Sequence, residues 1–225
     1  MRLHVRLLLC VLACCVVAAQ ASSAPIDLTV TGTDSSRGGS LSFLRDGSNL
    51  TAFVGVIRIT LNGESYSAIC ADLFSNVQVN DSYAVTALSP SGYPSAALGA
   101  RGERAAWLFV NYVATNLVDT VAEGQAIQLA VWDIIHDGGD GLSSGRVRRS
   151  HSTPSNVRSL VSEYLNASAN QSSVDPRIYI SSDPSLIKQA LMADALPTEM
   201  PEPATAVLIG FGLVFLSRMR GKRGA

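Results

Sequence analysis

Hydrophobic and polar residues alternate through the first part of the chain, which predicts strands of an antiparallel sheet. The segments that carry this pattern are residues 26–33, 52–61, 65–69 and 83–88. Asn62-Gly63 separates the second segment from the third, and two-residue hairpin turns favour this dipeptide. Residues 52–61 and 65–69 are therefore expected to pair, whereas the Gly- and Ser-rich residues 32–39 are expected to form a turn region.

Beyond these strands the apolar residues recur every three or four positions, which predicts helices. One apolar stripe comprises Ala105, Leu108, Phe109 and Tyr112, with Trp107 on its flank. The predicted helices are residues 96–114, 120–136 and 156–165. The second of these is expected to stop at Gly138-Gly139, because glycine favours the left-handed backbone that ends a helix.

The order of these elements defines the expected fold class. Arg177–Ser181 predicts a closing strand, and residues 186–195 predict a short helix or a linker. Strands followed by helices and a final strand predict an α+β domain over residues 25–195. We expect a small antiparallel β barrel or sandwich that carries a helical insertion.

The first 24 residues have the layout of a secretion signal. Arg2, His4 and Arg6 give a basic start, residues 7–17 are apolar, and small residues follow before Pro25. Residues 1–24 are therefore predicted to be a signal peptide, and the chain is expected to be secreted across the inner membrane.

The last residues carry a second apolar segment. Pro201, Glu202 and Pro203 precede the apolar residues 204–216, and a basic end comprises Arg218, Arg220, Lys222 and Arg223. A helix of this length rises about 20 Å, against a hydrocarbon core of about 30 Å, so flanking arginines must extend its reach. Basic residues after such a segment favour the cytoplasmic side of the membrane.

This arrangement over residues 196–225 resembles the PEP-CTERM sorting signal of exopolysaccharide-producing Gram-negative bacteria. The resemblance implies that a membrane processing enzyme of the exosortase type recognises the Pro201-Glu202-Pro203 motif and removes the tail. It also implies a transient membrane anchor through the C-terminal transmembrane helix. The final location implied is the cell surface or the extracellular matrix.

Charge narrows the classes of partner. Of 17 Lys and Arg, two lie in residues 1–24 and four in the basic end, which leaves eleven against 18 Asp and Glu. An acidic balance disfavours nucleic acid and anionic polymers as partners. The one basic cluster, Arg146-Val147-Arg148-Arg149, falls in a Gly- and Ser-rich segment, and we interpret it as a solvated loop.

Cys70 is the one cysteine that remains when residues 1–24 are set aside, because Cys10, Cys14 and Cys15 all lie within them. A lone cysteine outside the cytoplasm has no partner for an intramolecular disulfide. Free cysteine is also among the most buried residue types, so simple packing is one interpretation.

Gln128 falls on an apolar stripe of the second predicted helix. Val131, Trp132 and Ile135 follow it at helical spacing, while Asp133 and Asp137 are expected on another face. A buried primary amide costs about 1–3 kcal/mol unless its hydrogen bonds are satisfied. The sequence therefore either supplies a buried partner for the amide, such as a backbone carbonyl, or uses the amide chemically.

The pair Cys70 and Gln128 resembles the thioester domains of bacterial surface adhesins. Cys70-Ala71-Asp72 and the run from Gln128 to Trp132 fit the pattern of a cysteine, a nearby acidic residue and a helical glutamine four residues before a tryptophan. The resemblance implies a cross-link between the Cys70 sulfur and the Gln128 carboxamide, formed with loss of ammonia. An aromatic residue often precedes the cysteine in that family, whereas Ile69 does so here.

The same resemblance suggests a supporting shell around the bond. Trp107 and Trp132 are candidates to exclude water, and Asp72 or Tyr66 could orient groups around Cys70. We therefore expect an adhesion or binding module, not an enzyme, that captures an amine-bearing protein or polysaccharide at the surface or in the matrix.

Other interpretations remain open. A structural component of the biofilm or exopolysaccharide matrix would use the same domain without covalent chemistry. A hydrolase would use Cys70 as nucleophile with His136 or His151 as base, although neither histidine lies in a recognisable motif.

A cation site is a further alternative. Asp133, His136, Asp137 and Asp140 offer ligands, but their spacing fits neither an EF-hand nor a zinc pattern. We interpret this segment as a solvated loop and expect no metal and no cofactor.

Overall fold

The computed structural model describes residues 25–93 and 99–194. The first strand, β1, runs over Ile26–Arg45 and is longer than the alternation predicts. The expected turn region at residues 32–39 is wrong, because β1 passes through it with register shifts between Val30 and Gly32 and between Thr33 and Gly38. These irregularities act as bulges that bend the strand without ending it.

Two tight turns join β1, β2 (Ser48–Leu61) and β3 (Glu64–Cys70) into consecutive hairpins. Asn62 and Gly63 both have positive φ angles, of 50° and 87°, as a two-residue hairpin turn of this kind requires, so the predicted hairpin is confirmed. Asp46 and Gly47 form an equivalent turn, with φ angles of 49° and 82°. Cys70 is the last residue of β3.

Four shorter strands complete the sheet: β4 (Ser82–Leu88), β5 (Val147–Arg149), β6 (Arg177–Ser181) and β7 (Leu191–Ala193). The order is β2-β3-β7-β6-β4-β1-β5, and every pairing between these strands is antiparallel. Because β1 also pairs with β2, six of these strands form a closed circuit of pairings, with β5 outside it.

Three α-helices lie within the described residues: α1 (Gly99–Leu108), α2 (Val121–Asp137) and α3 (Ser155–Ala167). A single π-helical turn, Phe109–Val113, extends α1. None of these helices combines the length and the apolar character that crossing a bilayer requires. Helices and a large antiparallel sheet together confirm the α+β class.

Helix α2 packs on β1, β2 and the other two helices. The Thr120 side chain accepts from the Glu123 N–H while the Glu123 carboxylate accepts from the Thr120 N–H, which satisfies two otherwise unpaired donors at its start. The helix ends at Gly138, whose φ of 85° is left-handed, so both predicted ends are confirmed to within about one residue. Residues 124–135 are all buried, so α2 forms much of the core.

Two expectations are wrong. The segment predicted over residues 186–195 is not a helix in its described part, 186–194, which contains β7, inserted between β3 and β6. The basic cluster is not a solvated loop, because its residues 147–149 form β5 against the end of β1, with Val147 fully buried. The predicted signal peptide (1–24), the sorting segment (196–225) and its motif Pro201-Glu202-Pro203 lie outside the described residues.

Candidate functional site at Cys70 and Gln128

The side-chain amide of Gln128 forms two hydrogen bonds with the backbone of Cys70. The Cys70 N–H donates to Gln128 Oε1 at 2.8 Å, and Gln128 Nε2 donates to the Cys70 carbonyl oxygen at 2.7 Å. Gln128 is 1% exposed and Cys70 8% exposed, so both bonds lie in the core. The structure therefore brings together the two residues on which the sequence-based prediction rests.

The end of the pairing between β2 and β3 explains why this amide is needed. Strand β2 last pairs with β3 at Ile57 and Ala68, and β7 lies along the opposite edge of β3. Alternate residues of a strand direct their N–H and C=O groups to the same edge, so Cys70 faces the side that β2 has left. Buried backbone groups require partners, and Gln128 supplies both.

The Cys70 thiol is free and buried. Burial, followed by the nearby Asp72 carboxylate, raises the pKa of the thiol to about 12. The sulfur is therefore protonated at neutral pH and is a weak nucleophile by itself. Any reaction of this thiol depends on how closely a reactive group is held against it.

The carbonyl oxygen of Asp72 accepts two hydrogen bonds from buried side chains. Trp132 Nε1 donates to it at 3.2 Å and Gln189 Nε2 at 2.6 Å. Asp72 itself is 9% exposed, and its carboxylate accepts from the Phe74 N–H at 2.8 Å. Trp132 comes one turn after Gln128 on α2, so one helix binds the backbone at both Cys70 and Asp72.

Two members of the predicted shell have other contacts in the structure. The Tyr66 hydroxyl donates to the Glu64 carboxylate at 2.9 Å, so it bonds near the start of β3 while Cys70 ends that strand. The Trp107 ring packs edge-on against Tyr112, whose ring packs against Tyr164. Trp132 packs against Phe43 of β1 and is 4% exposed.

The two histidines differ in environment. His136 lies in the last turn of α2 beside Phe74, and burial lowers its pKa. His151 is exposed, on a surface groove that Arg149 and Arg158 also line. Among the described residues no hydrogen bond joins the Cys70 thiol to either histidine.

Sequence reasoning missed three features of this region. Gln189 was not singled out, because its partner, the Asp72 carbonyl, is far away in sequence. Asp133 was placed on a face away from the apolar stripe and grouped with a solvated loop, yet it is completely buried. Arg146 is held by a surface ion pair with Asp46, at 2.8 Å, and its guanidinium stacks 4.3 Å from the Phe74 ring centre.

The chain is similar to the N-terminal domain of the Streptococcus pyogenes pilus tip adhesin Cpa, with a TM-score of 0.45 and 16% sequence identity. The match covers 64% of this chain and 85% of that chain. No protein-family model matches the chain, and no curated protein matches it.

Proposed function

We propose that this protein is an exported adhesion or binding module in which Cys70 and Gln128 form an internal thioester. The observation that carries the proposal is the pair of hydrogen bonds that holds the Gln128 carboxamide against Cys70 in the core. The amide is thereby fixed beside the residue whose thiol would attack it. Because the two groups are held together by the fold, the reaction does not have to bring them together from solution.

The arrangement favours attack on the amide carbon. Cys70 Sγ would add to Gln128 Cδ, and negative charge would develop on Oε1. The Cys70 N–H already donates to that oxygen at 2.8 Å, so it stabilises the charge as an oxyanion-hole donor does. The C–N bond then breaks, the thiol proton leaves with the nitrogen as ammonia, and the S–C bond remains.

Forming the bond has a cost that the structure identifies. Loss of ammonia removes Nε2, which is the donor to the Cys70 carbonyl oxygen. A buried acceptor without a donor costs about 1–3 kcal/mol. The thioester form therefore carries the free-energy cost of this unpaired carbonyl oxygen. The cost is removed when an amine restores a nitrogen donor at that position.

Capture of a target reverses thioester formation, except that the nitrogen comes from an amine of the target and not from ammonia. A primary amine attacks the thioester carbon, the S–C bond breaks, and the thiol recovers a proton. The product is an amide that links Gln128 to the target. Trp132, one turn after Gln128 on α2, packs against Phe43, and both rings are buried. This apolar surface would limit hydrolysis of the thioester before an amine arrives.

The sequence features at the two ends supply the proposed location. A signal peptide at residues 1–24 directs export, and the PEP-CTERM-like segment at residues 196–225 directs processing by an exosortase-type enzyme. The module then remains at the surface or in the matrix of a Gram-negative bacterium. Its target is an amine-bearing protein or polysaccharide.

Amine incorporation tests the capture step. The full exported protein is incubated with isotopically labelled methylamine and mapped by peptide mass spectrometry. We expect label on Gln128 in the wild type and none in Cys70→Ala. Gln125→Ala is the matched control, because Gln125 lies on the same buried helix and bonds to Ser40, so it should still incorporate label.

Absence of label at Gln128, together with a thiol that alkylates at once on unfolding, would reject the thioester and leave a non-covalent matrix protein. Hydrolytic activity that requires Cys70 and is lost in His136→Ala or His151→Ala would instead support the enzyme interpretation.

A further inference from the structure

Three carboxylates meet at the C-terminal end of α2, in a place separate from the Cys70 and Gln128 pair. One oxygen each of Asp133, Asp137 and Asp140 lies within 4.8 Å of the other two. Asp133 is completely buried, Asp137 is half-buried and Asp140 is exposed. The cluster therefore opens to solvent on the Asp140 side.

Asp133 has an oxygen without a donor. Its Oδ2 accepts from the Gly141 N–H at 3.0 Å, while its Oδ1 is buried and has no hydrogen-bond partner among the described residues. A buried carboxylate oxygen that faces further carboxylates is costly unless a cation or a proton neutralises it.

Neither nearby guanidinium group hydrogen-bonds to Asp133, although Arg104 lies close enough to interact with its charge. Arg104 donates to the carbonyl oxygens of Gly138 and Leu165, and Arg101 donates to the carbonyl oxygen of His136. In the part of the chain that the structure describes, the ion pairs involve other carboxylates: Asp34, Asp46 and Asp81. The C-terminal end of α2 adds further negative potential.

Hydrogen bonds fix the other two carboxylates in place. Both oxygens of Asp137 accept from the Arg146 N–H, at 2.9 and 3.0 Å, and Oδ2 also accepts from the Val147 N–H at 2.9 Å. Asp140 Oδ2 accepts from the Ser144 hydroxyl at 3.0 Å. Such outer contacts orient ligand oxygens before a metal binds.

We propose that Asp133, Asp137 and Asp140 bind a divalent cation, Ca²⁺. Calcium takes oxygen ligands at about 2.3–2.6 Å in flexible geometry, so two oxygens on opposite sides of one ion lie up to about 5 Å apart. The separations in this cluster fall within that limit. Mg²⁺ requires about 2.0–2.1 Å and near-ideal octahedral geometry, which a cluster closed by a glycine-rich loop suits less well.

The bound ion would tie α2 to the sheet. Asp137 already bonds to the backbone of Val147 in β5, while Asp133 lies one residue after Trp132 on the helix that carries Gln128. An ion that binds only the folded chain stabilises it more as the ion concentration rises, with a logarithmic dependence above the Kd. Ca²⁺ should therefore stabilise the fold independently of the state of Cys70.

Calorimetric titration of the chelator-treated full protein with CaCl₂ tests the proposal. We expect one site with a Kd of about 1 mM or tighter, and weaker binding of MgCl₂ by about tenfold or more. Asp140→Asn should weaken Ca²⁺ binding by about tenfold or more, and it is exposed enough to fold. Asp46→Asn is the control, because its carboxylate pairs with Arg146 outside the cluster.

Two glycines provide a second, charge-neutral comparison. Gly145 and Gly141 have similar φ angles, of 79° and 90°, so alanine brings similar backbone strain at each. A Cβ at Gly145 would come within 2.6 Å of the Asp137 carboxylate, whereas one at Gly141 meets nothing within 4 Å. Gly145→Ala should lower the Ca²⁺ affinity more than Gly141→Ala does.

The thermal midpoint should rise with Ca²⁺ concentration in the wild type, and Asp140→Asn should need about tenfold more Ca²⁺ or higher for the same rise. A folded wild type that shows neither binding heat nor a raised midpoint overturns the proposal, as does equal affinity in Asp140→Asn.

Discussion

Gln128 takes the place of a β-strand beside Cys70. Its carboxamide donates to the carbonyl oxygen and accepts from the N–H of that one residue, at the step where β2 has turned away from β3. An amide side chain presents the same donor and acceptor as a peptide group, so it can continue a ladder by one residue. The same contact also holds the carboxamide against the backbone of Cys70, which carries the only thiol within the described residues.

Removing the Gln128 amide should destabilise the fold even when no thioester is present. In a Cys70→Ala background, which keeps the backbone groups and excludes the bond, Gln128→Leu should lower the free energy of unfolding by about 2–5 kcal/mol, because two buried groups lose their partners. Gln125→Leu in the same background is the comparison, since Gln125 makes one long bond of 3.4 Å to Ser40. Equal losses in urea denaturation would contradict the structural role assigned to Gln128.

The free thiol should react far more slowly in folded than in unfolded protein. The thiol is free after methylamine treatment, or as purified if the bond has not formed. Its raised pKa of about 12, against about 8.5 in an unfolded chain, lowers the thiolate fraction at pH 8 by roughly three orders of magnitude. Iodoacetamide labelling of folded protein should therefore accelerate about tenfold per pH unit between pH 8 and 10. A folded-state rate that levels off near pH 8.5 would show that Cys70 is solvated.

Trp132 and Gln189 should behave as coupled residues, since both donate to the Asp72 carbonyl oxygen. Trp132→Phe and Gln189→Leu should each cost about 1 kcal/mol, because the other donor still satisfies the oxygen. The double variant should lose about 1–2 kcal/mol more than the two single losses together. Strict additivity in chemical denaturation would mean that the two donors do not share this acceptor.

Gly124→Ala should destabilise the protein although alanine favours helices by about 1 kcal/mol. Gly124 lies where α2 crosses β1, and a Cβ there would overlap the carbonyl of Arg37. The overlap is with backbone, so it can be relieved only by moving the helix from the strand. An unchanged or higher thermal midpoint would show that α2 and β1 do not approach this closely.

Local chemistry explains which elements the sequence could predict. The hairpin turn at Asn62-Gly63 and the two ends of α2 depend on residues a few positions apart in the sequence. The structure confirms both predictions. β5 and β7 have three residues each and exist through pairing with distant strands, so no local pattern reveals them. The Asp46-Gly47 turn did carry a local signal, and the alternation after it could have identified it.

In the candidate site too, features that depend on distant residues could not be predicted from the sequence. Burial of Gln128 followed from the spacing of Val131, Trp132 and Ile135, and the structure confirms it. Its partner could not be predicted, because a backbone edge left open by β2 has no residue signature. Asp133 was misplaced for a related reason: one apolar stripe was traced on α2, whereas residues 124–135 are buried on all sides.

The intact mass of the mature protein tests the thioester most directly. We expect a mass lower than that of the processed chain by one ammonia molecule, and a full mass in both Cys70→Ala and Gln128→Ala. A wild-type protein at full mass, isolated at mildly acidic pH without amines, would contradict it. So would a deficit that persists when Cys70 is replaced by alanine.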